Sequence, residues 1–365
     1  MDERILKHAE VMVKYSLDLK SGEKLVISGE PVVFPLMKAV YKEALKAGSL
    51  VDILIEEPSL REILFKYGDE DQLTYVPEKM FSIVENIDVF LSLMGTSNTR
   101  IMSNVPAESI RKNTESQHEL QKRLFERIGN NELRWAGTQF PTVANAQEAS
   151  MSLADYEDFV YTACHLDSED PVGEWNKIHD EQQKYVDFLD NKKHLRILSE
   201  DTDIEMDIQG RKWINSDGHM NMPSGEVYTG PIEDTVNGKI RFSFPGIFQG
   251  QEIEDIRLTF ENGKVVKAEA SKGQKLLEQI LQIRGANYVG EVAMGTNYNI
   301  KEFTKNMLFD EKIGGTVHLA IGQSLPESRG ENQSDIHWDM LCDMRTGGEI
   351  YADGELIYKD GKFII

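Results

Sequence analysis

The stretch KLVIS at residues 24–28 is a short apolar run that predicts a buried β-strand. A segment with helical spacing follows at residues 34–47, and a second β-prone run occupies residues 51–55. A strand, a crossover helix and a further strand in this order form the unit from which parallel sheets are built. This segment therefore decides the fold class that we predict for the N-terminal half.

The same alternation continues through the first half of the chain. Further β-prone runs lie at residues 89–94 and 133–137, and helical patterns lie at residues 3–19 and 107–128. Alternating strands and helices are typical of an open, mostly parallel α/β sheet. The glycine turns at Gly22 and Gly95 lack both the dinucleotide-binding spacing and the phosphate-loop spacing, which argues against a nucleotide cofactor.

The second half has a different pattern. Residues 149–192 are acidic with helical spacing, and we interpret them as the connection between the halves. Short alternating runs follow at residues 195–198, 204–208 and 256–260, and turns such as Asn262-Gly263 predict hairpins. We therefore predict an α/β domain over residues 1–190 and a mainly antiparallel α+β domain over residues 191–365.

Size and composition narrow the classes of function. At 365 residues the chain exceeds the usual size of a single core, which favours two domains. The net charge of -22 opposes binding to nucleic acid or to anionic membranes. Only two cysteines occur, too few for a disulfide framework or a thiolate cluster. No apolar run approaches the roughly 18 residues of a membrane span, and the first residues lack a signal-peptide core, so we expect a cytoplasmic protein.

Two stretches near the C-terminus carry ligand-like residues on predicted strands. In SDIHWDM, residues 334–340, strand geometry places His337 and Asp339 on one face, and Trp338 and Met340 on the other. In TVHLAI, residues 316–321, His318 stands where valine or isoleucine would suit an apolar strand better. Such a division into a ligand face and a core face suits a metal site in the C-terminal domain.

Two glutamates complete the candidate set. Proline and glycine flank Glu226 in NMPSGEVYTGP, residues 221–231, and Glu291 interrupts the apolar run of residues 288–294, where an unpaired charge is costly. With His318, His337 and Asp339 they make three carboxylates and two imidazoles, a set that suits zinc, cobalt or manganese. Five ligands with a bridging carboxylate are enough for two ions roughly 3.5 to 4 Å apart. Structural alternatives stay open at this point: a solvated Glu226, a hydrogen-bonded core His318, or Asp339 paired with an arginine.

The stretches NMPSGEVYTGP, GEVAMGTN (residues 290–297), LFDEKIGGTVHLAIG (308–322) and NQSDIHWDM (332–340) closely resemble motifs of the thermophilic-type metallo-aminopeptidases. This family includes aminopeptidase T and aminopeptidase S and is leucyl aminopeptidase-like. The resemblance implies that Glu226, Glu291, His318, His337 and Asp339 bind two divalent metal ions per chain. It also implies a homodimer with an enclosed active-site cavity.

The function that follows from the resemblance is an exopeptidase that releases N-terminal amino acids from short peptides. Two metal ions would activate a water, with Glu291 as the bridging ligand and a catalytic residue. The negative charge of the protein suits a cationic peptide amino terminus. No general base stands out in the sequence, and Asp335, Glu327 and Asp343 are interpreted as surface carboxylates.

One position departs from the family pattern. Family members commonly have a tyrosine seven residues after the first ligand histidine, where this chain has Leu325. Leucine cannot donate a hydrogen bond, and loss of one oxyanion donor costs on the order of 100 to 1000-fold in turnover. Three outcomes stay open at this point: weaker peptidase activity, altered activity, or rescue by the hydroxyl of a neighbour such as Tyr228, which we count as a candidate catalytic residue.

Two other functions fit the same scaffold. An iron-dependent ring-cleaving dioxygenase of dihydroxypyridines would use His318, His337 and Asp339 as a facial triad. A metal-bearing binding protein with weakened catalysis would fit the loss of the tyrosine at Leu325. Because Glu226 and Glu291 are both present, the residues favour two metals and hydrolysis.

Overall fold

The computed structural model describes residues 2–365. The α-helices are α1 (Glu3–Val11), α2 (Phe34–Lys46), α3 (Pro58–Tyr67), α4 (Glu70–Thr74), α5 (Glu78–Asn86), α6 (Ala107–Ser116), α7 (His118–Gly129), α8 (Val143–Glu148), α9 (Leu153–Ala163), α10 (Pro171–Leu189), α11 (Gln274–Ile280) and α12 (Met307–Asp310). The strands are β1 (Lys24–Gly29), β2 (Leu50–Ile55), β3 (Val89–Met94), β4 (Arg134–Gln139), β5 (His194–Ser199), β6 (Thr202–Asp207), β7 (Ile214–Ser216), β8 (Asn221–Met222), β9 (Glu226–Thr229), β10 (Asn237–Phe242), β11 (Gly246–Phe248), β12 (Gln251–Ile253), β13 (Ile256–Glu261), β14 (Lys264–Glu269), β15 (Val289–Gly295), β16 (Thr316–Gly322), β17 (His337–Asp343), β18 (Glu349–Ala352), β19 (Glu355–Lys359) and β20 (Lys362–Phe363). No helix within residues 2–365 is long and apolar enough to cross a membrane.

The chain forms two compact units. The first contains the residues up to Val172 together with Gly218–Pro223, and the second contains Gly173–Asp217 and Ser224–Ile365. The first unit thus ends inside α10, and the domain boundary after residue 190 stays a prediction. Each unit has a sheet arrangement of its own, described separately below.

The first unit is built on a five-stranded sheet with the order β2-β1-β3-β4-β8. Every neighbouring pair in this sheet is parallel. The interior strand β1, between β2 and β3, buries Leu25, Val26 and Ile27, as its apolar sequence predicted, and α2 is the crossover from β1 to β2. The predicted open, parallel α/β fold of the N-terminal half is confirmed.

Two local predictions for this unit were wrong in detail. The helix predicted over residues 107–128 is two helices that meet at Gln117, where the Gln117 amide also donates to the Thr114 carbonyl, three residues back, and the Ser116 hydroxyl donates to the Asn113 carbonyl. His8 lies in a polar helical sequence that we would assign to the surface, yet it is fully buried, with Nε2 at 2.7 Å from Thr138 Oγ1. Burial lowers the pKa of His8 to about 3, so this imidazole is neutral.

The second unit contains two larger antiparallel sheets that share one apolar core. The eight-stranded sheet has the order β14-β13-β10-β6-β5-β18-β19-β20, and the five-stranded sheet has the order β17-β16-β15-β9-β7. Leu258 and Phe260 of the first sheet belong to the same buried cluster as Val317 and Trp338 of the second. The mainly antiparallel C-terminal half is therefore also confirmed.

The predicted hairpins of this unit form because their turn residues tolerate positive φ. Each turn has Asn or Asp followed by Gly, with φ values of 49° and 81° at Asn262-Gly263, 50° and 81° at Asp353-Gly354, and 47° and 83° at Asp360-Gly361. Two consecutive residues with positive φ define the tight turn whose twist matches antiparallel strands. These turns set the register of β13 with β14 and of β19 with its two neighbours.

Candidate metal centre

One face of the five-stranded sheet carries the candidate ligands, separated by small residues. The register places Ala320 of β16 between Asp339 of β17 and Glu291 of β15. In the next row, Ala293 of β15 lies opposite His318 of β16. Neighbouring strands are about 4.8 Å apart, so a small side chain between two functional ones leaves space above the sheet. This spacing allows ligand side chains from different strands to converge.

The opposite face of the same strands is apolar. Trp338 and Met340 alternate with His337 and Asp339 along β17 and belong to the buried core. The indole Nε1 of Trp338 donates to the carbonyl of Ile247 at 2.9 Å, so its one polar group is satisfied. In the structure, as predicted, His337 and Asp339 lie on one face of β17 and Trp338 and Met340 on the other. Because the apolar face is buried in the core, the candidate ligands must project from the opposite face.

The structure brings all five candidate ligands into two overlapping groups. One group is Glu226, Glu291 and His318, and the other is Glu291, His337 and Asp339; within each group, one ligand atom per residue lies within 4.8 Å of the others. Glu291 belongs to both groups. Its Oε1 lies 3.1 Å from His318 Nε2, and its Oε2 lies 3.6 Å from His337 Nε2. The two oxygens of one carboxylate thus face the two histidines.

The remaining contacts orient the other ligands toward the same centre. His318 Nε2 lies 3.5 Å from Glu226 Oε2, and His337 Nε2 lies 3.4 Å from Asp339 Oδ1. His337 Nδ1 lies 2.7 Å from the carbonyl oxygen of Gln323, which can only accept a hydrogen bond. In the neutral imidazole this contact places the proton on Nδ1. The lone pair of Nε2 is then free to bind a metal ion.

Two buried carboxylate oxygens at this centre lack a hydrogen bond. Among residues 2–365, Glu226 Oε2 and Asp339 Oδ1 are buried without a partner of acceptable geometry. A buried acceptor left unsatisfied costs free energy, and the cost is greater for a charged group. Both oxygens point toward imidazole nitrogens of the same centre, so a divalent cation would satisfy them. The donor set therefore fits a metal.

The charges at this centre shift the pKa values of its members. Burial alone would lower the pKa of both imidazoles, but nearby carboxylates, with Glu291 hydrogen-bonded to His318 and Asp339 beside His337, raise them to about 9 for His318 and about 10 for His337. Burial opposes ionisation of Asp339, yet His337 holds the pKa of this carboxyl down at about 2. Burial raises the pKa of Glu291 despite its hydrogen bond from His318. Without metal, the centre therefore stores protons on its imidazoles.

The sequence analysis missed two functional candidates, Glu311 and Lys312. The Lys312 side chain is fully buried, its Nζ lies 3.4 Å from Glu226 Oε1, and it also contacts the Glu311 carboxylate. Burial alone would lower the pKa of the Lys312 ammonium, but Glu226 and Glu311 raise it above its usual range. The sequence does contain a sign of these two residues: in the motif LFDEKIGG, two adjacent charged residues lie between a helix and an apolar strand.

Tyr228 shares the ligand face with Glu226, since the two residues are two apart on β9. Its side chain is buried, and its hydroxyl donates to Glu327 Oε1 at 3.0 Å. Burial, with Glu327 and Glu291 nearby, raises its pKa above the usual range, so it stays a hydrogen-bond donor. Leu325 is half-buried and precedes a 3-10 turn that contains Glu327.

The family model for the thermophilic metalloproteases, M29, matches residues 1–363. The chain belongs to this family. The family predicted from the sequence motifs is confirmed, and with it the prediction of an enzyme of the metallo-aminopeptidase class.

Proteins similar to this chain have names that agree with the M29 assignment. Aminopeptidase 2 of Geobacillus stearothermophilus is 26% identical over 99% of this chain and 95% of its own length. Aminopeptidase AmpS of Bacillus subtilis is 25% identical over 99% of this chain and 98% of its own length. The solved structure titled wild-type AmpT from Thermus thermophilus superposes with a TM-score of 0.86 and 21% identity, covering 99% of both chains, which shows the fold. None of these names supports the dioxygenase or the binding-protein alternative.

Proposed function

We propose that this M29 protein is an aminopeptidase that releases N-terminal amino acids from short peptides with the help of two divalent metal ions. The observation that carries the proposal is the position of Glu291, which belongs to both ligand groups and turns one oxygen to each histidine. A carboxylate shared in this way is the expected bridge of a two-metal site. The names of the relatives supply the exopeptidase class.

Five side chains would hold the two ions. Glu226 and His318 would complete one ligand group with Glu291, and His337 and Asp339 would complete the other. Carboxylate oxygen with imidazole nitrogen suits zinc, cobalt or manganese. The iron-triad alternative would need His318, His337 and Asp339 without Glu291, whereas both ligand groups that contain these residues include Glu291.

Bound divalent ions would supply a Lewis acid for the scissile carbonyl and a water of lowered pKa. The chain's own residues set the conditions for that chemistry. The Gln323 carbonyl fixes the His337 ring, and the buried face of the sheet holds the ligand strands in register. The net charge of -22 on the whole chain attracts the ammonium group of a peptide N-terminus toward the protein.

We extend the proposal to the partners and location of the protein. Short peptides with a free N-terminus would be its substrates, and the net charge of -22 supports the exclusion of nucleic acid and of anionic membranes. The homodimer rests on the family resemblance. A cytoplasmic location is supported by the small number of cysteines, two in 365 residues.

The function is tested by metal analysis of the purified protein combined with hydrolysis of aminoacyl-anilides and short peptides. The protein is stripped with a chelator and reloaded with zinc, cobalt or manganese. We expect two ions per chain and stepwise removal of N-terminal residues. A protein that binds metal but cleaves neither peptide nor anilide with any of the three ions would overturn the proposal.

Tyr228 is the hydroxyl that we assign to the developing oxyanion in place of the family tyrosine at Leu325; its single O–H, which donates to Glu327 Oε1 at 3.0 Å, would turn from Glu327 to the oxyanion. We expect Tyr228→Phe to lower kcat by about 100 to 1000-fold, the usual cost of one oxyanion donor, because phenylalanine keeps the ring but not the hydroxyl. Steady-state kinetics measures kcat, and calorimetry measures metal affinity, which we expect to stay unchanged. Leu325→Tyr in the Tyr228→Phe background is the matched test, and it should restore part of kcat. An unchanged kcat in Tyr228→Phe would remove this tyrosine from the reaction.

Metal binding at pH 7 is expected to release about two protons, one from each imidazole, since a metal binds only the neutral ring. The reason is that the pKa values of His318 and His337 are about 9 and 10 in the metal-free protein. Calorimetric titration of zinc in buffers of different ionisation enthalpy counts these protons. Because the folded-state values lie above the ordinary value of 6.5, the imidazoles stabilise the metal-free fold below pH 6.5, and that contribution is lost as pH rises through 9 to 10. Release of no protons would contradict the ligand assignment of both histidines.

A further inference from the structure

Lys312 is held rigidly against the strands that carry the metal ligands. Its backbone amide donates to the Phe309 carbonyl at 3.0 Å, and its carbonyl accepts from the Asn297 amide at 3.1 Å. The side chain of Asn297, just after β15, donates to the Ser224 carbonyl at 2.9 Å, just before β9. The segment with Lys312 is therefore tied to the strands of Glu226 and Glu291, and its ammonium has a fixed position.

The buried ammonium of Lys312 joins two carboxylates with different environments. Glu226 is a candidate ligand, and its side chain is 6% exposed. Glu311 is 18% exposed, contacts the same ammonium and belongs to neither ligand group. Both carboxylates are bound to one nitrogen, so Glu311 lies beside the ligand centre with access to solvent.

We propose that Glu311 is the proton-transfer residue of the peptide hydrolysis, with Lys312 as its positioning residue; this inference rests on the proposed function. The Glu311 carboxylate would take one proton from the attacking water while the water oxygen bonds to the scissile carbonyl carbon. As the carbon–nitrogen bond breaks, the Glu311 carboxyl would return that proton to the leaving amine. The sum is one peptide and one water converted into an amino acid and a shortened peptide.

The other carboxylates near the site are less suited to this role. Asp343 accepts two hydrogen bonds from the Arg345 guanidinium, at 2.8 and 2.6 Å, and one from the Arg345 amide, and Asp335 is exposed. Glu327 already accepts from Tyr228. Burial, together with Glu226 and Asp339, raises the pKa of Glu311 to about 8 although Lys312 lowers it, and a base works best when its pKa lies near the working pH.

The test compares Glu311→Gln and Glu311→Asp with the matched control Asp335→Asn, all in the full-length, metal-loaded protein. We expect Glu311→Gln to lower kcat by about 100 to 10,000-fold, the usual contribution of general acid–base catalysis. Its number of bound ions, its zinc affinity by calorimetry and the absorption spectrum of its cobalt form should match those of the wild type. Asp335→Asn should keep the wild-type kcat. Glu311→Asp keeps the charge beside Lys312 but shortens the side chain, and its kcat should fall at least about tenfold.

Four outcomes overturn the inference, and the activity of the wild type distinguishes the last of them from the other three. A kcat of Glu311→Gln within threefold of an active wild type shows that Glu311 transfers no proton. Loss of one ion per chain in Glu311→Gln makes Glu311 a ligand instead. If Glu311→Gln does not fold, a kcat of Glu311→Asp within threefold of the wild type overturns the inference. An inactive wild type with two bound ions refutes the proposed function itself, and the role of Glu311 falls with it.

Discussion

The Glu291→Gln variant is expected to lose both divalent ions and nearly all peptidase activity, the largest effect of any single substitution at this centre. The amide keeps the shape of the side chain, but only one of its two end groups can bind a cation, so it cannot bridge two. Glu291 is the residue common to both ligand groups. Metal-ion catalysis supplies several kcal/mol, so we expect kcat to fall roughly 1000-fold or more.

Metal analysis after dialysis and kcat on an aminoacyl-anilide measure this effect. Glu261→Gln, an exposed glutamate at the end of β13, is the matched control and should keep both ions. His337→Ala removes a ligand of one group only and should leave one ion per chain. If Glu291→Gln keeps two ions with wild-type affinity, the shared-ligand assignment is refuted.

The strands that carry the candidate ligands were predictable because residues of ligand type recur with the two-residue period of a strand. His337 and Asp339 are two residues apart with core residues between them, and His318 stands among residues with high strand propensity. These local patterns gave the face of each side chain before any contact was known. The hairpins were predictable for a similar reason, because Asn-Gly and Asp-Gly tolerate the backbone that a tight turn needs.

What the sequence could not give was the register between distant strands. That Ala320 lies between Asp339 and Glu291 follows from pairing across segments separated by many residues, and no local rule specifies it. The same limit hid Glu311 and Lys312, because two adjacent charges between a helix and a strand are usually solvated. Only the tertiary structure shows that this lysine is buried against Glu226.

Predictions for helical segments were wrong where side chains compete with the backbone for hydrogen bonds, or where tertiary packing buries a residue that its polar neighbours would place at the surface. Gln117 separates two helices in a sequence with continuous helical spacing; its amide also donates to the Thr114 carbonyl, three residues back, and the Ser116 hydroxyl donates to the Asn113 carbonyl. His8 was assigned to the surface by its polar neighbours, but the contact with Thr138 is between residues far apart in the chain. The error at His8 comes from an interaction that a window of neighbouring residues does not contain.

The buried ammonium of Lys312 also bears on how the site exists before a metal arrives. Three carboxylates face one another in the ligand groups, and like charges in a buried place repel unless cations or protons compensate. Lys312 is the lysine that contacts both Glu226 and Glu311. In the metal-free protein, the Lys312 ammonium and the protonated imidazoles supply the positive charge that bound metal ions would otherwise supply to these carboxylates. The metal-free fold should therefore depend on this residue more than the metal-bound fold does.

We expect Lys312→Met to lower the free energy of unfolding of the metal-free protein by about 3–5 kcal/mol, because methionine fills the space but leaves the buried Glu226 carboxylate without its cation. Urea unfolding with a chelator measures this loss. With saturating zinc the loss should be smaller, since bound ions replace part of the missing charge. Lys301→Met, which removes an exposed lysine, should change stability by no more than about 0.5 kcal/mol. An equal loss for Lys312→Met with and without zinc would mean that Lys312 stabilises the fold by packing, and not by balancing the charge of the empty ligand set.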